Sequence, residues 1–111
     1  MSIQRDVKEI VKFRDERDWA QFHTPKSLAI SLSLEIAEVL EFFQWEKGEF
    51  PRKKGGDPLE YELADVYYYL ILLAHEVDCD LQKSFKEKMY INAMKYPAEA
   101  CRGKSTKYTG L

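Results

Sequence analysis

Apolar positions recur with helical spacing along almost the whole chain, and no stretch alternates in the manner of a half-buried strand. Ile3, Val7, Ile10 and Val11, with Phe13 nearby, form one stripe in a charged background, which predicts an amphipathic first helix to about Asp18. Residues 19–23 read as a link. Thr24-Pro25 then combines an N-cap with a first-position proline, and the second helix is expected to run to Glu46 or Lys47 and close at Gly48. Residues 49–56 form a basic loop. Asp57-Pro58-Leu59-Glu60 carries the marks of a capping box, so the third helix should begin there and end near Val77. A fourth helix is expected from Asp78 or Asp80 to Tyr96, where Pro97 stops it, leaving a tail from about residue 98 with little to bury. The pattern predicts an all-α chain, a four-helix bundle-like subunit forming a single domain over residues 1–111.

The second and third helices differ from the first in being apolar nearly all round. Each nevertheless carries a carboxylate pair at i, i+3: Glu35 and Glu38 on one, Glu62 and Asp65 on the other. Apolar helices are expected to be buried and to take their carboxylates inward. Neighbouring carboxylates stripped of water are untenable unless cations neutralise them. A short connection should make the two helices antiparallel neighbours and set the pairs face to face. An all-oxygen ligand set favours Mg²⁺, with Mn²⁺ possible. A di-iron bundle would pair Glu with His three residues on, and neither His23 nor His75 is so placed. One ExxE alone is common on solvated helices. Two such pairs on apolar helices of one short chain favour the metal.

Composition narrows the remaining classes. At 45% hydrophobic and 32% charged residues, the chain is globular. The carboxylates interrupt both long apolar runs, so no membrane span is expected. The N-terminal residues lack the apolar core of a signal peptide, so a cytoplasmic location is expected. Cys79 and Cys101 are far apart and read as unbridged thiols. The net charge of −2 conceals 17 acids and 10 bases in residues 1–80 against 2 acids and 7 bases in residues 81–111. An acidic cradle with a basic C-terminal segment suits a metal-chelated polyanion, although lysines on the outer face of a last helix would give the same count. Lys88, Asn92 and either Lys95 or Tyr96 share a seam on that helix. Nucleic-acid binding is not expected, since no groove-reading motif is present.

The two carboxylate pairs, Lys88…Asn92…Lys95-Tyr96-Pro97, Arg17-Asp18-Trp19-x-x-Phe22-His23-x-Pro25, Ser27-Leu28 and Glu41-x-Phe43-Gln44-Trp45 together resemble the all-α nucleoside triphosphate pyrophosphohydrolases, the MazG-like superfamily. Within it the chain is most similar to the small dCTP pyrophosphatase branch, over roughly residues 5–108. The resemblance implies Mg²⁺-dependent hydrolysis of a nucleoside triphosphate to monophosphate and pyrophosphate, in house-cleaning of the nucleotide pool. It implies metal ligation by Glu35, Glu38, Glu62 and Asp65, and a base and sugar pocket lined by Trp19, His23, Trp45 and Tyr69. Lys88, Asn92, Lys95 and Tyr96 would meet the phosphates or finish the pocket, and the subunits would form a homodimer or dimer of dimers. Chemically, Glu38 is the carboxylate assigned to orient water, with Glu35 beside it, and Lys88 and Lys95 would stabilise the departing pyrophosphate. The competing reading is a non-catalytic helical module for nucleotide binding or oligomerisation. Filled carboxylate positions argue against a degenerate binding module, and a purely structural dimer would show no dependence on divalent metal.

Overall fold

The computed structural model of the chain describes residues 2–45, 53–54 and 57–110. It is all-α apart from one two-residue antiparallel ladder, and it divides into two compact units, residues 1–79 and 80–111.

In the first unit, α1 (Ile3–Glu16) is capped by Ser2, whose side chain accepts from Arg5 N–H. It stops two residues short of the expected Asp18. Asp18 adopts φ 54°, its N–H donates to Asp15 O and Trp19 N–H donates to Arg14 O, at 3.1 Å each. This is a Schellman closure, which the sequence concealed because the left-handed residue is Asp, not Gly. A single 3-10 turn, Ala20–Phe22, leads into α2 (Pro25–Glu41). Here the expected start holds: Thr24 Oγ1 accepts from Ser27 N–H and Ser27 Oγ accepts from Thr24 N–H, a reciprocal box with Pro25 at the first position.

The expected end of α2 does not hold. The helix finishes at Glu41, and Phe42 and Phe43 donate back only three residues, to Val39 and Leu40. No Gly or Pro stops it. Phe42 keeps helical φ/ψ (−63°, −26°) and is 5% exposed, so the helix closes by tightening into three-residue hydrogen bonds while the Phe42 ring enters the core. The Gly48 stop and the basic stretch through Arg52 lie outside the described residues. Lys53–Lys54 (β1) pairs with Asp57–Pro58 (β2), Lys53 opposite Pro58. That pairing takes the Asp57-Pro58 backbone out of the expected capping box. Accordingly α3 (Leu59–Glu76) starts after Pro58, with no side-chain cap. It ends in a second Schellman closure, with Asp78 at φ 55° and Cys79 N–H donating to Ala74 O at 2.8 Å.

The most extensive packing is between α2 and α3, and α1 lies against α3. The core is small: Leu28, Phe42, Leu59, Ile71, Leu72 and Ala74. The expectation that α2 and α3 are buried all round is therefore not met within this chain. Ile30, Leu34 and Leu40 on α2, and Tyr61 and Leu63 on α3, are all at least half exposed. In the second unit, Asp80 caps α4 (Leu81–Lys95) by accepting from Lys83 N–H, and Tyr96 closes it before Pro97. The tail holds more order than expected. It contains α5 (Ala98–Cys101), a left-handed Gly103 and a 3-10 turn at Tyr108–Gly110. No disulfide forms among the described residues, and no helix among them is long and apolar enough to cross a membrane.

Candidate metal centre and its cleft

Packing of α2 on α3 brings one carboxylate oxygen from each of Glu35, Glu62 and Asp65 to within 4.8 Å of one another. Two oxygens on opposite sides of one Mg²⁺ would stand about 4.1 Å apart, so a shift of several tenths of an ångström would close the set on one ion. Glu38 belongs to the same constellation through a hydrogen bond to Glu35, although it falls outside the tightest triad.

Glu35 registers both its burial and the charges around it. Burial pushes its carboxyl up to about 7, helped by the charge of Glu38, the charge of Asp65, the hydrogen bond to Glu38 and the charge of Glu62. Its Oε2 is buried without a hydrogen-bond partner. An orphaned carboxylate oxygen among other carboxylates is chemically suited to a hard divalent cation. The setting differs from the expected interior, however. Glu35 and Glu62 are half-buried, while Glu38 and Asp65 are exposed, so the carboxylates lie at the mouth of a cleft.

That cleft has a volume of about 360 Å³ and is lined by Glu9, Ile10, Phe13, Trp19, Glu35, Asp65, Tyr68 and Tyr69. Its aromatic wall is a chain of edge-to-face contacts: Trp19 to Phe13 at 5.8 Å, Phe13 to Tyr68 at 6.0 Å, and Tyr68 to Tyr69 at 5.1 Å between ring centroids. The Arg17 guanidinium covers the Phe13 ring at 3.6 Å and donates to Phe13 O at 3.0 Å. Burial, then the charges of Glu35, Asp65 and Glu38, push the Tyr69 hydroxyl above its ordinary value, so it stays a protonated donor beside the carboxylates.

Of the expected pocket residues, Trp19 and Tyr69 share this cleft with Glu35 and Asp65. His23 and Trp45 are not among its lining. His23 lies by Arg14 and Glu76, with Nδ1 buried and unpartnered; burial foremost, then Arg14, lowers its pKa, against an upward pull from Glu76. Trp45 is 84% exposed in the turns after α2. Lys88, Asn92, Lys95 and Tyr96 belong to the second unit, where the Lys95 ammonium sits 4.8 Å from the Tyr108 ring centroid and Tyr96 meets Tyr108 edge-on at 5.9 Å. Sequence reasoning missed Glu9, Ile10, Phe13 and Tyr68. The available signal was the i, i+3 pair Ile10 and Phe13 just before the Trp19 link, which reads equally well as ordinary core.

A profile of the MazG-like family matches residues 30–111. dCTP pyrophosphatase 1 of Homo sapiens is 40% identical over a 112-position alignment, and that of Rattus norvegicus 38%; each alignment covers 96% of this chain. The chain spans 66% of the length of these curated relatives. A solved pyrophosphatase of Archaeoglobus fulgidus DSM 4304 superposes with a TM-score of 0.77 at 39% identity, covering 86% of this chain and 92% of that one.

Proposed function

This chain belongs to the MazG-like family, and from that premise we propose that residues 1–111 form one catalytic domain, a Mg²⁺-dependent nucleoside triphosphate pyrophosphohydrolase. Its preferred substrate is dCTP or a 5-substituted dCTP, cleaved to the monophosphate and pyrophosphate as house-cleaning of a cytoplasmic nucleotide pool. One observation carries the reading: Glu35, Glu62 and Asp65 converge at the mouth of a cleft walled by aromatic side chains in edge-to-face contact. The likeness to dCTP pyrophosphatases supports the choice of base.

Glu35, Glu38, Glu62 and Asp65 would hold the cation, with Mn²⁺ able to replace Mg²⁺. A bound cation would neutralise phosphate charge and lower the pKa of a ligated water. Glu38, exposed beside Glu35, orients the attacking water and takes its proton. The water oxygen bonds to the α-phosphorus as the bond from that phosphorus to the α–β bridging oxygen breaks, and pyrophosphate leaves with the electron pair. By resemblance to the family, Lys88 and Lys95 would stabilise that leaving group, and Asn92 and Tyr96 would complete the phosphate side. Trp19 offers a stacking face, a contact type worth about 1–3 kcal/mol per base. Tyr69 against C2′ of the sugar leaves no room for a ribose hydroxyl. Trp45 and His23 complete the pocket in a homo-oligomer, at minimum a dimer, in which a second copy supplies what one chain's cleft does not line.

The test is a panel of dCTP, 5-methyl-dCTP, dTTP, dATP and CTP with pyrophosphate release as readout. The cytosine deoxynucleotides are expected to show the highest kcat/KM. Asp65→Asn and Glu38→Gln, which keep volume and remove charge, should each lower kcat/KM by about a hundredfold or more, on the order of 3 kcal/mol, with helicity intact. Undiminished activity in either variant overturns the site. Equal rates across the panel remove the base and sugar preference alone.

A further inference from the structure

Arg14 is the one buried charged residue among the described residues, at 7% exposed. Its Nη1 donates to Glu76 Oε1 at 2.9 Å and its Nε to Asp15 Oδ1 at 3.0 Å. Glu76 is the last residue of α3, so this contact spans 62 positions and ties the C-terminal end of α1 to that of α3. The Arg14 carbonyl closes the Schellman turn by accepting Trp19 N–H at 3.1 Å. One residue earlier, Phe13 stands edge-on to both Trp19 and Tyr68. Arg14 thus holds the link through its backbone and α3 through its side chain.

A buried ion pair commonly adds little net stability over well-packed apolar side chains. A guanidinium bonded at two nitrogens does fix direction, which apolar packing does not. Asp65 lies eleven residues before Glu76, about 16 Å along the helix, so Arg14 is remote from the carboxylates and close to the aromatic end of the cleft. We propose that Arg14, through its pair with Glu76, is a positioning residue that sets Trp19 and Phe13 against the cleft and thereby fixes affinity for the nucleotide base. The inference rests on the reading of that cleft as the substrate pocket. His23 is compatible with it: burial and the Arg14 charge favour the neutral imidazole, which does not compete with Arg14 for the Glu76 carboxylate.

The experiment compares Arg14→Met, Glu76→Gln and the double variant. Kinetics with dCTP and Mg²⁺ are followed in the natural sequence. Emission and acrylamide quenching are followed in a Trp45→Phe background, where Trp19 is the remaining tryptophan. Each single change is expected to raise KM about tenfold with kcat within about twofold, to shift Trp19 emission to the red and to increase its quenching. The double variant should be no worse than the worse single, because both break one pair. Arg14→Lys, which keeps charge and loses the fork, should fall between Met and the natural residue. Glu76→Gln keeps shape and removes the charge that pairs with Arg14, so it carries the test if Arg14→Met fails to fold. Unchanged KM, a fall in kcat with KM held, or unmoved Trp19 emission overturns the proposal. A natural chain that cleaves no triphosphate would refute the functional reading instead, and the emission arm would still decide whether the pair positions Trp19.

Discussion

Glu35 is where the electrostatics of the cleft can be weighed. Its carboxyl titrates near 7, raised first by burial and then by its carboxylate neighbours, so the native chain holds this proton more tightly than the unfolded chain does. The group's stabilising contribution is complete below its ordinary value of 4.5 and is lost as pH rises through about 7. Metal-free protein should therefore show a Glu35-dependent fall in Tm between pH 5 and pH 8, a slope that Glu35→Gln flattens. Because Glu35 is only half-buried, solvent screening trims the size of the effect but not its sign. His23 works in the opposite direction: its lowered pKa gives a contribution present above 6.5 and lost as pH falls. The slope must accordingly be read as the difference from Glu35→Gln. Added Mg²⁺ should raise Tm more at pH 8 than at pH 5, since the cation binds the ionised form. Glu35 and Asp65 were legible in the sequence because carboxylates on an apolar helix are anomalous. Phe13 and Tyr68 were not, since nothing separates a cleft aromatic from a core one until the neighbouring helix is in place. Trp45 was legible as a large aromatic residue, but its 84% exposure in the turns after α2 was not, since residue type does not announce that helix end.

Helix starts were easier to read than helix ends, and the reason is local chemistry. Thr24 and Asp80 satisfy their own helices' first N–H groups with side chains a few residues away, which sequence spacing encodes. The ends depend on backbone conformations that residue type signals poorly here. Asp18 and Asp78 adopt the left-handed conformation that glycine ordinarily supplies, and α2 ends at Phe42 by tightening into three-residue hydrogen bonds that no residue type announces. Asp57 misled for a related reason: its backbone is used in the two-residue ladder. Asp78→Gly relieves the Cβ strain of the left-handed region against the greater unfolded-state freedom of Gly. It should stabilise the chain by about 0.5–1 kcal/mol, a rise of a few degrees in Tm. Asp18→Gly should gain less, because it also removes the Oδ2 that accepts from Gln21 at 3.0 Å. A loss of stability in Asp78→Gly, measured by urea titration, would show that its carboxylate does more than occupy the turn.

Among the described residues, six buried hydrophobic side chains make a thin core, and the uncovered apolar surface is large. Leu34 is 61% exposed, Leu40 63% and Leu63 50%, all on the helices that carry the carboxylates. Surfaces of this kind mark interfaces, and light scattering at micromolar concentration is expected to report a dimer or larger, with Leu34→Glu and Leu40→Glu shifting it toward monomer. A stable monomer of the natural chain would overturn the assembly proposed above. The all-α architecture was legible from periodicity alone. The incompleteness of the core was legible only as an excess of apolar positions on α2 and α3, because a sequence does not say which of them a single chain covers. The pairing of those two helices also has a kinetic consequence. The most extensive tertiary packing and the convergence of Glu35, Glu62 and Asp65 are the same event, so mutual repulsion must be met while the helices are docking. Its free energy then belongs to the barrier of folding and only weakly to the barrier of unfolding. In stopped-flow chevrons Glu35→Gln should speed refolding of the metal-free chain and leave the unfolding limb nearly unchanged. Mg²⁺ should do the same for the natural sequence, stabilising the docked helices and the transition state that leads to them alike, before any substrate is present.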